Sequence, residues 1–281
     1  MPEPDLDQKK KAKAFLALHS GGTPLLLPNV WDVASARIVE EAGFPALATS
    51  SAGVAFALGY PDGQKIHKDQ MMAGVARIAQ AVKVPVSADV ESGYGNDPEA
   101  VSRMARAIIM GGAIALNLED ASGDGARPLL DLPLQLEKIR AIRNTANKWD
   151  VALVINARTD VYLLQVGEPS TRYDETIRRL SAYRDAGADC VFVPGLSDPV
   201  AIKRLVSDVK CPVNILAGPG SPSVKELQAL GVARVSLGSG PMRAALGTLR
   251  RVAEELRTKG TYESLVSAPA HSEINKLLGQ N

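Results

Sequence analysis

Carboxylates and one arginine carry the clearest chemical signal in this chain. Asp89 and Glu91 stand in the run Asp89-Val90-Glu91-Ser92-Gly93-Tyr94-Gly95, Glu119 in Asn117-Leu118-Glu119-Asp120, and Arg158 in Asn156-Ala157-Arg158-Thr159-Asp160. Each group closes a short apolar, strand-like run. Residues two apart at a strand end project to the same side, so Asp89 and Glu91 are expected to face one mouth, with Glu119 one strand over. Three carboxylates in a low-dielectric mouth repel one another and are costly without a cation. An all-oxygen set of this kind suits Mg2+ or Mn2+, which retain waters and complete their shell from substrate. The other reading of the same residues is a salt-bridged cluster with Arg158 as counter-ion. Asp120 and Asp160 read as supports of the set or as helix caps.

These side chains need a scaffold that gathers strand ends. Eight apolar runs recur, at residues 25–28, 46–50, 85–89, 113–119, 152–158, 190–194, 212–217 and 234–238. They are rich in Val, Ile, Leu and Ala rather than alternating, as expected of parallel strands covered on both faces. Amphipathic segments of helical length lie between them, at 33–42, 69–82, 98–110, 132–147, 171–186, 199–209, 223–230 and 242–258. Asp32, Asp97, Asp198 and Ser221 offer N-cap oxygens, and Gly43, Gly111, Gly187 and Gly231 offer helix stops. Strict alternation implies a parallel sheet with right-handed crossovers. Eight units in 281 residues favour a single (β/α)8 barrel of the TIM type. An open doubly wound sheet is the alternative, weakened because no Gly-x-Gly-x-x-Gly follows the first strand. The expected organisation is a polar N-terminal extension over 1–15, a barrel over 16–262 and a C-terminal tail over 263–281.

In such a barrel the active groups come from the C-terminal strand ends. That end collects the carboxylates, Arg158, Ser50, Ser51, Tyr94 and Asn214, whereas the opposite ends are mostly Ala, Val and Pro. The three histidines, His19, His67 and His271, fall in terminal or loop stretches, and no lysine ends a strand. A histidine base and a Schiff-base lysine are therefore not expected. Glycines at 217–221 and 238–240 follow the last two strands and read as tight turns or as a phosphate cradle.

Composition narrows the partners. Lysine and arginine number 32 against 31 acidic residues, and aromatic residues are 4%, so neither an electrostatic nor a stacking footprint for nucleic acid is present. Residues 1–13 are polar and Lys-rich, and no apolar stretch approaches the ~20 residues of a membrane span. The expectation is a cytoplasmic protein with no membrane partner. Cys190 and Cys211, each opening an apolar run, read as small buried hydrophobes.

Taken together, the motifs resemble the isocitrate lyase/phosphoenolpyruvate mutase superfamily. The matching stretches are Ala34-Ser35-Ala36-Arg37 with Ala42-Gly43-Phe44, Ser50-Ser51-Ala52-Gly53, Leu58-Gly59-Tyr60-Pro61-Asp62-Gly63, Asp89 to Gly95, Leu118-Glu119-Asp120, Ala157 to Asp160 and Ala186-Gly187-Ala188-Asp189. They occur in family order over residues 25–195, with weaker similarity to 245. The resemblance implies that Asp89 is the central metal-associated aspartate and that Glu119 is the metal-site glutamate. Glu91 stands where the family has a second aspartate, which leaves direct or water-mediated metal contact open. Asp62 matches an aspartate near substrate, Ser50, Ser51 and Ala52 the turn that receives the substrate carboxylate, Arg158 the arginine on the substrate's oxyanion or carboxylate, and Asn214 a polar substrate contact. The resemblance also implies a homo-oligomer, a dimer or tetramer, in which a C-terminal helix is exchanged.

One departure limits the chemistry. After Glu119-Asp120 the family's lyases carry Lys-x-Cys-Gly-His, and its phosphonomutases carry Lys with Asn and Ser. Here the stretch is Ala121-Ser122-Gly123-Asp124-Gly125-Ala126-Arg127-Pro128, without Lys, Cys or His. Isocitrate and methylisocitrate cleavage are therefore not expected. The leading expectation is a Mg2+- or Mn2+-dependent carbon–carbon lyase or decarboxylase acting on a small 2-oxo or 2-hydroxy (di)carboxylic acid through an enolate, with Arg158, Asp62 and Glu119 as catalytic residues. The alternatives are phosphonopyruvate-type carbon–phosphorus mutase or hydrolase chemistry and a non-catalytic metal- or ligand-binding protein.

Overall fold

A computed structural model describes residues 4–95 and 97–279. Its strands are β1 (Leu25–Leu27), β2 (Asn29–Val30), β3 (Leu47–Thr49), β4 (Val86–Asp89), β5 (Ala115–Glu119), β6 (Ala121–Asp124), β7 (Arg127–Leu129), β8 (Val154–Arg158), β9 (Cys190–Phe192), β10 (Val213–Leu216) and β11 (Arg234–Ser236). All but β6 and β7 form one parallel sheet in the order β1-β11-β10-β9-β8-β5-β4-β3-β2. The first and last members of that order are consecutive in the chain, separated by Pro28 alone. Proline has no N–H to give a ladder, so one strand breaks there and passes its pairing from β11 on one side to β3 on the other. The sheet closes on itself, and the eight expected runs are its eight staves. The open-sheet alternative fails on this closure.

The strands read as continuous apolar runs, yet their inner face is polar. In β5, Leu116 and Leu118 join the core against the helices, while Asn117 and Glu119 alternate with them. Inside the barrel Asn156 Nδ2 donates to Asn117 Oδ1 at 2.8 Å. Arg234 Nη2 reaches from β11 across the interior to Ser87 Oγ and the same Asn117 Oδ1, both at 3.2 Å. β5, β8, β10 and β11 thus turn Asn117, Asn156, Asn214 and Arg234 to the axis.

Helices pack outside. Asp32, Asp97 and Asp198 cap theirs as expected, whereas the cap of Val224–Ala229 is Ser223, not Ser221. Gly43, Gly187 and Gly231 end helices at φ 86°, 112° and 85°, conformations open to glycine; in the third unit Gly112, not Gly111, takes that role.

Within the N-terminal segment the described residues from Asp5 onward pack against the barrel. Leu6–Ala17 is a helix, capped by the Asp5 side chain on the Gln8 amide at 2.7 Å. Ala12 and Phe15 are fully buried, the Phe15 ring lies 5.9 Å below the Arg234 guanidinium, and Gln8 Nε2 donates to the carbonyls of Ile109 and Ala113. Arg234 begins its strand, so this helix closes the N-terminal end of the barrel. The Lys-rich sequence hides it because only one narrow face is apolar. At the other terminus His271–Leu278 lies against Val33–Glu41 of the same chain, with Leu277 buried. No helix among the described residues is long and apolar enough to cross a membrane.

Candidate active site

The mouth is built from the ends of β3, β4, β5 and β8. β3 ends at Thr49, and Ser50 then caps the short helix Ser51–Ala57 through its Oγ on the Gly53 amide at 3.1 Å. This helix follows the strand at once, so the Ser51 amide and hydroxyl both point at the next stave. They donate to Asp89 Oδ2 at 3.0 and 2.7 Å, while Thr49 Oγ1 accepts from the Asp89 amide. Asp89 Oδ1 is buried and has no hydrogen-bond partner among the described residues. Ala52 is buried beside these residues.

Glu91 departs from the same-side expectation. Its φ is 50°, so the extended backbone has already ended and strand alternation no longer governs its direction. Its carboxylate turns to the 58–67 loop, accepting from the Gln64 amide and from Tyr94 Oη at 2.7 Å. Burial raises its carboxyl to about 7, with Asp89 and Asp62 adding and Tyr94 opposing. Burial and Glu91 raise the Tyr94 hydroxyl too, which keeps it a donor rather than a base.

Glu119 and Arg158 are register partners on β5 and β8, and their side chains pair at 2.8 Å. Arg158 Nε also donates to Asp160 Oδ1 at 2.7 Å, and the guanidinium lies 5.7 Å over the Phe192 ring. Burial would lower this guanidinium, but Glu119, Asp160 and Asp89 together hold it above the ordinary arginine value. Burial raises the Glu119 carboxyl well above its usual range, with Arg158 pulling it back. Asp62 lies at the rim, where partial desolvation and the Asp89 charge raise it against a hydrogen bond from Gly63.

Buried supports hold this set. Asp120 is not a helix cap. It is fully buried, and accepts from Thr159 Oγ1 at 2.7 Å, the Asp160 amide at 2.9 Å, Tyr183 Oη at 2.6 Å and Arg179 at 3.2 Å. It thereby fixes Asp160, which fixes Arg158. From the helix Leu132–Lys148, Gln135 donates to the Glu119 carbonyl at 3.1 Å and Lys138 to the Ser92 carbonyl at 2.6 Å. Burial pushes Lys138 down to about 8, opposed by Glu119 and Asp97. Both residues share the buried face of Ile139 and Ile142 at helical spacing, so two polar positions in an apolar stripe were the readable signal.

Other sequence candidates fall elsewhere. Asn214 is fully buried and pairs with Ser236, within the polar interior rather than at the rim. The amides of Leu237 and Gly238 donate to Asn29 Oδ1 at 2.7 and 2.9 Å, and that of Gly218 to Ser221 Oγ, so the glycine-rich stretches are tight turns here. The stretch after Asp120 is a hairpin of β6 and β7, in which Ser122 accepts from the Asp124 amide and Asp124 from that of Ala126. Burial pushes both cysteine thiols up to about 12, which leaves them unreactive.

Among the described residues no three His, Cys, Asp or Glu side chains are drawn together as a ready metal cage. The orphaned Asp89 Oδ1 nevertheless fits a divalent cation. Mg2+ is commonly held by one or two carboxylates, with waters and substrate supplying the remainder.

Residues 15–257 match the family described as phosphoenolpyruvate phosphomutase. This chain belongs to that family, within the isocitrate lyase/phosphoenolpyruvate mutase superfamily. An uncharacterized protein of Mycobacterium tuberculosis is 39% identical over 83% of the chain and 84% of its own length. Oxaloacetate decarboxylase 2 of Pseudomonas fluorescens is 29% identical over 90% of the chain and 87% of its own length. Among solved structures, phosphonopyruvate hydrolase in complex with oxalate and Mg++ superposes with a TM-score of 0.84 at 26% identity, over 96% of this chain and 95% of that one. Relatives in the superfamily include lyases, decarboxylases, mutases and hydrolases.

Proposed function

We propose that the protein is a divalent-metal-dependent lyase or decarboxylase that breaks a carbon–carbon bond of a small 2-oxo or 2-hydroxy di-acid. The observation that carries this reading is the free, buried Asp89 Oδ1 in a mouth shared with the twice-anchored Arg158. Asp89, with Glu119 beside it, would hold Mg2+ or Mn2+, which supplies Lewis-acid stabilisation of charge on a substrate oxygen. Arg158 is kept cationic and still by Glu119 and Asp160, so its charge is already aimed when an enolate develops on the substrate, at no cost in reorganisation. The Ser51 amide and hydroxyl, together with the turn 50–52, are donors for a substrate carboxylate, the role Ser51 now plays for Asp89. Bond cleavage leaves a carbanion that must take a proton. The hairpin has no cysteine or lysine for this, and its Ser122 and Asp124 are spent on the turn. Asp62, raised by its surroundings and open at the rim, carries that proton. Asn214 acts from below, as part of the polar floor.

A second reading keeps the site and changes the bond to carbon–phosphorus, favoured by the phosphonopyruvate hydrolase likeness and the family match. Incubation with oxaloacetate and with phosphonopyruvate, with and without Mg2+, separates the two. Metal-dependent release of pyruvate and carbon dioxide from oxaloacetate is expected. Turnover of phosphonopyruvate alone would select the second reading. Calorimetric binding of oxalate without turnover of any oxo or hydroxy acid would instead make the protein a ligand-binding member. The proposal includes a cytoplasmic, homo-oligomeric protein. An apolar stripe supports self-association: Leu246, Leu249 and Leu256 lie exposed along the helix Gly240–Lys259, with Val266 beyond it.

A further inference from the structure

The Asp-to-Glu departure at position 91 lengthens one arm of the acidic set by a methylene. In the folded chain both oxygens of that longer arm are taken up by other groups, one by Tyr94 Oη and one by the Gln64 backbone amide. Gln64 returns two further bonds to the same short segment. Its Nε2 donates to Ser92 Oγ, and its Oε1 accepts from the Tyr94 amide at 3.1 Å. Gln64, Glu91 and Tyr94 all hold left-handed backbones, with φ of 57°, 50° and 54°. Side chains other than glycine keep that conformation where surrounding contacts over-determine it, and here the over-determining contacts join these same three residues. The loop has a second anchor two residues on. Ile66 is buried with Val54, Ala55 and Met71, and Tyr94 packs on that cluster. Asp62 lies two residues before Gln64 on this loop.

We propose that Glu91 is the catch of a latch over the mouth rather than a ligand of the cation. With Gln64 it acts as a positioning residue, holding the 58–67 loop so that Asp62 overhangs Asp89. The inference rests on the reading that Asp89 holds a divalent cation. An aspartate at 91 is one carbon too short to meet Gln64 and Tyr94 together from the same backbone, so the longer side chain exchanges a place at the metal for a grip on the loop.

The test uses the full chain, Mn2+ as the probe, and two readouts that need no turnover: Mn2+ affinity by electron paramagnetic resonance, and amide hydrogen exchange of peptides covering 58–67. Glu91→Ala and Gln64→Gly are expected to speed exchange in that segment about tenfold or more, with exchange elsewhere unchanged. Gln64→Gly suits the left-handed backbone and removes only the side-chain bonds, so it remains informative if Glu91→Ala folds poorly. Glu91→Gln keeps the arm length and one accepting oxygen, and should restore part of the protection. Mn2+ affinity should change no more than about tenfold in these variants, against at least about a hundredfold in Asp89→Asn. A loss in Glu91→Ala as deep as that in Asp89→Asn, or unchanged exchange of 58–67 in Gln64→Gly, overturns the latch. Wild-type protein that binds no Mn2+ overturns the metal reading of Asp89 instead, and the exchange measurements then decide the latch alone.

Discussion

Arg158 is held from two sides, by Glu119 at 2.8 Å and Asp160 at 2.7 Å, and in the proposed mechanism that fixity gives its charge catalytic value. A preorganised donor of this kind contributes roughly 3–4 kcal/mol to transition-state stabilisation, so Arg158→Ala should cut kcat by at least about a hundredfold. Near-full turnover in that variant, measured on the substrate the first assay selects, would remove Arg158 from the mechanism. Asp120 acts one step behind. Its removal leaves Arg179, Tyr183 and Thr159 without their shared acceptor, and breaking such a buried ion pair costs about 3 kcal/mol even though Glu175 still pairs with Arg179. Asp120→Ala should therefore lower the urea-unfolding free energy by that amount and also depress kcat through Asp160. A stability loss without a kcat effect would confine Asp120 to folding.

The N-terminal helix shows what an element can hide. Phe15 and Ala12 plug the barrel floor, and His19, just beyond the helix, is buried with its Nδ1 on the Phe15 carbonyl. Burial, reinforced by the Arg234 charge, pushes His19 down to about 4 from its ordinary 6.5. The unfolded chain takes up this proton below 6.5 and the folded chain only near 4. Stability is thus full above 6.5 and lost as pH falls through that window, by about 3 kcal/mol in all. In urea titrations at matched pH values between 4 and 7, the unfolding free energies of wild type and His19→Gln should diverge by about that amount in all as pH falls. Parallel curves would mean that His19 gains its proton in the folded state. The hairpin of β6 and β7 matters in the opposite way: it is an ordered turn without Lys, Cys or His, and in the proposed mechanism proton transfer falls to another element.

At the scale of the molecule, the closed barrel explains why residues more than a hundred positions apart meet, and the exposed Leu249 and Val266, at 64% and 87% accessible, suggest what covers its outside. Light scattering on the purified chain should give a multiple of 29.7 kDa. Leu249→Glu should shift it toward the monomer, since a desolvated carboxylate opposes an apolar contact. A wild-type mass of one chain would refute self-association through this stripe.

The sequence by itself determined the staves, their number and the end of the barrel that carries chemistry, because apolar period and local capping are short-range properties. Asp89, Glu119 and Arg158 were legible for the same reason: each closes its own apolar run. The boundaries of the expected helices came within a residue or two; Ser51–Ala57 was not among them, nor was Leu6–Ala17, whose apolar face is too narrow to announce itself beside four lysines. Only the tertiary structure decided what those side chains do to one another. It paired Glu119 with Arg158, turned the Glu91 carboxylate to Gln64 and Tyr94, made Asp120 a buried hub, and drew Asn214 and Arg234 into the floor. Each of these depends on a contact between residues remote in sequence or on a single left-handed residue, and no local period encodes either.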